Sequence, residues 1–158
     1  LGNHVGDWEH LTVRFVDGRP VAVTMSQHGK APVFAYGGKT LPMVDLRPEA
    51  YSALGSHGLY PDAAVHEYMD LYNGDSLKDI TNQGTAWKTW ERPVIFPSQP
   101  QGTFTGSLAW LNISSDWGNA KSGCDTYVSE KSGECVLNGG PAGPMHKSFT
   151  HPDFSELE

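Results

Sequence analysis

From Asp7 to Val16 apolar and polar residues alternate, and the alternation resumes at Pro20 after the pair Asp17-Gly18. A period of two puts successive side chains on opposite faces of a strand, so this stretch reads as a half-buried hairpin. Leu11, Val13 and Phe15 share one face; Trp8, His10, Thr12 and Arg14 share the other. Asp-Gly supplies the two left-handed residues of a tight hairpin turn, and Pro20–Ser26 is the return strand, with Val21, Val23 and Met25 on one side. A two-residue loop would set Phe15 opposite Pro20 and Leu11 opposite Thr24, which mixes the apolar faces. Slipping by one sets Leu11 opposite Met25, Val13 opposite Val23 and Phe15 opposite Val21. The hydrophobic pattern prefers this second register and so requires a longer loop or a bulge. In either register His28 arrives near the Asp7 end of the hairpin.

Beyond the hairpin the chain is punctuated by 18 Gly and 11 Pro in 158 residues, a turn-rich composition of single-domain size. Residues 49–55, 94–96, 103–105 and 108–111 read as further short strands. Residues 61–72 (containing AAVHEYMDLY) hold the best helix candidate. The expected fold is mainly β, a single β-sandwich domain over 1–158 with long loops and one short helix. No apolar run approaches the ~18 residues of a membrane span, so no transmembrane segment is expected. The formal net charge is −7 with no Lys/Arg cluster, which argues against nucleic acid as a partner. Cys124 and Cys135 read as one disulfide stapling a Gly-rich loop, worth under ~3 kcal/mol, against the alternative of two free thiols in a reducing compartment. Asn112-Ile113-Ser114 is an N-glycosylation triplet and reads as a glycoprotein signal.

The densest chemistry lies in His4-Val5-Gly6-Asp7-Trp8-Glu9-His10. Asp7 and Glu9 are two apart, so on a strand their carboxylates face the same way at one end of the core side. Two such groups repel in a partly dry site unless something positive sits between them. A divalent cation meets that need: oxygen ligands suit calcium or magnesium, and a direct bond from His4 would favour zinc or manganese. On the opposing reading both acids sit at a solvated strand start. His28 and His57 each follow a strand and precede a glycine, and imidazole exchanges protons near neutral pH. Both are candidate catalytic bases; taken singly, each also fits a strand-capping role. Ser26 and Ser56 lie nearby, but no G-x-S-x-G elbow is present. His66-Glu67 lacks the second His of a zinc-protease helix, and His146 and His151 receive no role. Residues 79–87 read as an ordered loop in which Asp79 and Thr81 bond local backbone.

Residues 1–10, Leu1-Gly2-Asn3-His4-Val5-Gly6-Asp7-Trp8-Glu9-His10, resemble the signature of the vacuolar protein sorting-associated protein 62 family. The resemblance continues through Ser26-Gln27-His28, residues 53–61, residues 79–87 and residues 139–144. Members of that family carry sequence upstream of the signature. The resemblance therefore implies that this part was cleaved, is supplied by a second chain, or is absent from this subfamily. The spacing His4-x-x-Asp7-Trp8-Glu9 is also similar to the heptapeptide of the necrosis- and ethylene-inducing peptide-like proteins. That likeness implies a β-sandwich cytolysin with a calcium or magnesium site, in which His4, Asp7 and Glu9 match metal-site positions. A further aspartate ligand of that family would fall before Leu1.

Three functions follow as expectations. The first is a secreted β-sandwich that binds a divalent cation at His4, Asp7 and Glu9 and engages a glycan or membrane headgroup, with a cytolytic outcome. The second is a metal-assisted hydrolase or lyase in which His28 or His57 moves the proton. The third is a non-catalytic trafficking or structural module. The expected location is extracellular, with the vacuole as the alternative.

Overall fold

The computed structural model describes residues 8–71, 74–115, 117 and 143–146. His4, Asp7, His151 and the disulfide expected between Cys124 and Cys135 lie outside the described residues. The described chain is mainly β: nine short strands in four small antiparallel sheets, with three 3-10 turns.

β1 (Leu11–Val16) and β2 (Arg19–Met25) form the expected hairpin, and β3 (Val33–Ala35) adds to the free edge of β2. Asp17 and Gly18 have φ of 48° and 74°, the two left-handed positions that a tight hairpin turn requires. Leu11 pairs with Met25 and Val13 with Val23, yet Phe15 pairs with Pro20. The register shifts by one between Arg14 and Phe15, so a bulge reconciles the short turn with the apolar match. Past the bulge Phe15 is exposed, as are Val16 and Val21. β2 is the central strand and is covered on both faces, so Ala22, Val23, Thr24 and Met25 are all buried. Val23, Met25 and Leu41 form the core, with Leu11, Val13, Phe34, Tyr36, Met43 and Leu59 packed against them.

β4 (Met43–Val44) pairs with β5 (Arg47–Pro48), and β6 (Tyr51–Ser52) pairs with β7 (Leu59–Tyr60). The strand expected over residues 49–55 is therefore real but shorter. The fourth sheet joins β8 (Val65–Asp70) to β9 (Ser76–Ile80).

β8 corrects the helix expected over residues 61–72. Its inward residues His66 and Tyr68 recur every second position, and Glu67 reaches across to Lys78 at 2.8 Å. Pairing with β9 satisfies its backbone groups and overrides a local sequence that would tolerate a helix. Residues 94–96 and 103–105 are not strands. Pro93 and Pro97 bracket the first and remove the donors a ladder would need. Residues 108–111 lie inside the second of the 3-10 turns, η1 (Thr89–Glu91), η2 (Gly106–Asn112) and η3 (Pro144–His146). At the end of η2 the Asn112 carboxamide accepts from Phe104 N and donates to Phe104 O, at 3.1 and 2.8 Å. Trp8 stacks on Trp110 and both meet Trp117 edge-on, and Gly143 lies so close to the Trp117 indole that a Cβ would fall 2.5 Å from Nε1.

Candidate functional site

Three ties bring the exit of β2, the β6–β7 hairpin and β9 together. Leu59 N donates to Ser26 O and Leu54 N to Ile80 O, each at 2.9 Å. Gln27 Nε2 donates to Leu59 O at 2.7 Å. The chain leaves β2 through a second tight turn in which His28 and Gly29 have φ of 42° and 73°, closed by the Gln27–Lys30 bridge. A left-handed backbone is uncommon for histidine, and such positions recur where a side chain must be aimed. Here the turn carries the imidazole back over β9.

At the meeting point sits Asp79. The pairing of β8 with β9 turns Leu77 and Asp79 inward and Lys78 and Ile80 outward, so the carboxylate is buried by strand parity alone. Three side chains converge on it. His28 Nε2 lies 2.7 Å from Oδ2, Tyr60 OH donates to Oδ2 at 2.8 Å, and Ser56 Oγ donates to Oδ1 at 2.8 Å. The side chain of His28 is 17 % exposed and that of Asp79 only 4 %. With Ser56 and Tyr60 donating to the carboxylate, the His28 tautomer that places its hydrogen on Nε2 completes the bond to Oδ2 and leaves Nδ1 as the second ring nitrogen. Burial, and then the hydrogen bond to Asp79, hold the Tyr60 hydroxyl protonated well above the usual phenol range.

Two stacked pairs flank the carboxylate. The His28 ring lies on Tyr68 at 3.7 Å, and Tyr60 lies on His66 at 3.8 Å. His66 Nε2 is 2.9 Å from Thr81 Oγ1, whose own proton goes to Asp62 O at 2.7 Å. His66 is thereby a donor locked into the support of Tyr60. Gly58 is packed beneath, where a Cβ would sit 3.1 Å from Asp79 Oδ2 and 3.3 Å from the Tyr60 ring.

Of the residues anticipated from sequence, His28 is in this cluster. His57 has φ of 64° in the neighbouring loop, but its side chain is on the exposed surface. Glu9 is held by Ser26, whose Oγ donates to Oε2, and its charge acts on Tyr60; Glu9 thus lies at the edge of the same polar centre. His4 and Asp7, the other two proposed metal ligands, are outside the described residues. Among the described residues no group of three or more His, Cys, Asp or Glu side chains is placed to hold a metal ion. Asp79 and Tyr60 were not anticipated as site residues. Only the alternation Leu77-Lys78-Asp79-Ile80 hinted that Asp79 faces inward.

The family model described as vacuolar protein sorting-associated protein 62 matches residues 1–120. Two relatives from Saccharomyces cerevisiae are similar. The vacuolar protein sorting-associated protein TDA6 is 29 % identical over 94 % of this chain and 37 % of its own length. Vacuolar protein sorting-associated protein 62 is 30 % identical over 75 % of this chain and 30 % of its own length. The chain thus spans about a third of the length of these relatives. No solved structure matches it.

Proposed function

The chain belongs to the vacuolar protein sorting-associated protein 62 family, and from that premise we propose that the His28–Asp79 centre is an acid–base site of a hydrolase or lyase acting on a polar, hydroxyl- or phosphate-bearing ligand. One observation carries this reading: an imidazole fixed at 2.7 Å on a buried carboxylate, with its opposite nitrogen turned away from that carboxylate. In this arrangement Asp79 sets the tautomer and orientation of His28 and stabilises the imidazolium that forms when Nδ1 takes a proton. Ser56 and Tyr60 keep both carboxylate oxygens occupied, so Asp79 stays an acceptor rather than swinging to solvent. Tyr60 acts as a donor and not as a base, because its hydroxyl stays protonated. A divalent cation held by His4, Asp7 and Glu9 would supply charge neutralisation for an anionic ligand.

The test is turnover of polyuronides, phosphodiesters and nucleic acids, with and without EDTA. His28→Gln is expected to lower the rate by about 10²–10⁴-fold and Asp79→Asn by a similar factor, since general acid–base groups contribute on that order. Full activity in His28→Gln, or no turnover of any of these classes by the wild type, would overturn the enzymatic reading.

A second reading is favoured by the relatives, which are named for vacuolar sorting. In it the same centre is a polar anchor in a non-catalytic trafficking module, and the protein works on the route to the vacuole rather than outside the cell. Ligand binding lost in His28→Gln with no turnover in the wild type would select this reading. A fluorescently tagged chain that accumulates in the medium would count against the vacuolar location.

A further inference from the structure

Residues 82–98 follow directly from the site strand, and all of them are exposed. Three of its large apolar residues stand well out of the fold, Trp87 at 86 %, Ile95 at 87 % and Val94 at 72 % exposed, while Trp90 and Phe96 are partly covered at 45 % and 39 %. A single exposed apolar residue needs no explanation, but this concentration in one short segment marks an interaction surface. The segment is pinned rather than loose. The Arg47 guanidinium lies 4.5 Å from the Trp90 ring, and Phe96 packs edge-on against the buried Phe104 at 5.7 Å. With Trp90 and Phe96 serving as anchors, Trp87, Val94 and Ile95 are the residues left facing out.

The charges beside them identify the partner. The molecule carries a net charge of −7, yet this segment holds Lys88 and Arg92 against Glu91 alone, with Arg47 adjoining at Trp90. Lys88 Nζ pairs loosely with Glu91 at 3.6 Å and Arg47 with Asp45 at 3.9 Å, and about half of each cation's side chain remains exposed. Trp87, Lys88 and Arg92 line one open groove of about 440 Å³ together with Glu91, which leaves the groove one net positive charge. Tryptophan and aliphatic side chains flanked by Lys and Arg are the composition of the membrane–water interface.

We propose that residues 86–96 form a shallow docking edge that seats Trp87, Val94 and Ile95 at the headgroup level of an anionic lipid surface, with Lys88 and Arg92 on the lipid anions. Depth is limited by the backbone. The segment is irregular, and few of its amides are paired with other described residues, so only side chains can leave water. Binding is accordingly peripheral, reversible and salt-sensitive. It does not depend on the His28 centre being catalytic.

Co-sedimentation with vesicles tests the proposal, comparing phosphatidylcholine alone with two parts phosphatidylcholine to one part phosphatidylserine. The wild type should bind the mixed vesicles in low salt and bind pure phosphatidylcholine weakly. Trp87→Ala combined with Ile95→Ser should lower the partition coefficient by at least about tenfold. Lys88→Gln and Arg92→Gln should each lower it by about fivefold. Phe15→Ser, at an exposed apolar residue beside the β1–β2 turn and outside this segment, should leave it unchanged. If the double variant misfolds, iodide quenching of the wild type decides: mixed vesicles should protect tryptophan emission and shift it to the blue. Absence of binding, equal binding to both vesicles, an unaffected double variant or no protection from iodide would each overturn the proposal. So would a wild-type dimer in sedimentation velocity that the double variant abolishes, because a second copy would then be the occupant.

Discussion

Tyr60 links the side-chain chemistry to stability in a way that can be measured by pH. Its neutral hydroxyl is preferred in the folded state because it is buried and donates to Asp79. An acid whose folded pKa is raised above the unfolded value of 10.0 holds its proton when the unfolded chain has lost it. Folding stability is then constant below that value and falls as pH rises through it, by up to ~1.4 kcal/mol per pH unit from this one group. Tyr60→Phe is expected to cost about 1–2 kcal/mol near neutrality, for the lost bond to a buried carboxylate. It should also show a shallower alkaline decline than wild type. Urea midpoints at about pH 8 and about pH 11 check both parts. An unchanged alkaline slope would mean that Tyr60 is not held protonated by the fold. At this scale the sequence marked His28 by its position after a strand and before a glycine. It could not mark Asp79, whose role comes from a contact 51 residues away.

At the scale of elements, the opening hairpin was legible in detail and the β8–β9 sheet was not. Residues 8–26 carry their own specification: alternation, an Asp-Gly turn and an apolar match that demands a slip of one. The bulge between Arg14 and Phe15 is where those local demands are reconciled. Gly18 bears most of the turn's conformational load, with φ of +74° and open space where a Cβ would sit. Gly18→Ala is thus expected to cost about 1 kcal/mol from backbone strain alone, without a clash. A chemical denaturation midpoint measures it, and a neutral or stabilising result would show that the turn relaxes to another type. Residues 65–70 read as helix because Ala, Glu, Met and Leu in their neighbourhood favour one locally. The cross-strand pairs Val65–Ile80, His66–Asp79 and Glu67–Lys78 outweigh that preference once β9 is present. Helix propensities differ by only tenths of a kcal/mol per residue, so a paired neighbour readily decides the outcome.

For the molecule as a whole, the proposed divalent cation bears on both fold and function. His4, Asp7 and Glu9 precede or begin the described chain, and Glu9 already contacts Ser26 at the polar centre. If these residues bind a divalent cation, saturating calcium, magnesium or manganese should raise the midpoint of unfolding, since a ligand at about 100 times its Kd adds about 2.7 kcal/mol. Asp7→Ala should remove that increment without changing the metal-free midpoint by a comparable amount. Isothermal calorimetry on chelated protein gives the same answer independently, and no heat with any of the three cations would remove the metal from the proposal. The amino-acid sequence by itself determined the mainly β character, the hairpin and its bulged register, because those depend on residues close along the chain and on a period of two. Only the tertiary structure decided that residues 65–70 are a strand, that Asp79 is the carboxylate behind His28, and that Trp87 and Ile95 stand uncovered. Each of these depends on which distant segment supplies a neighbour, and local pattern carries no information about that choice.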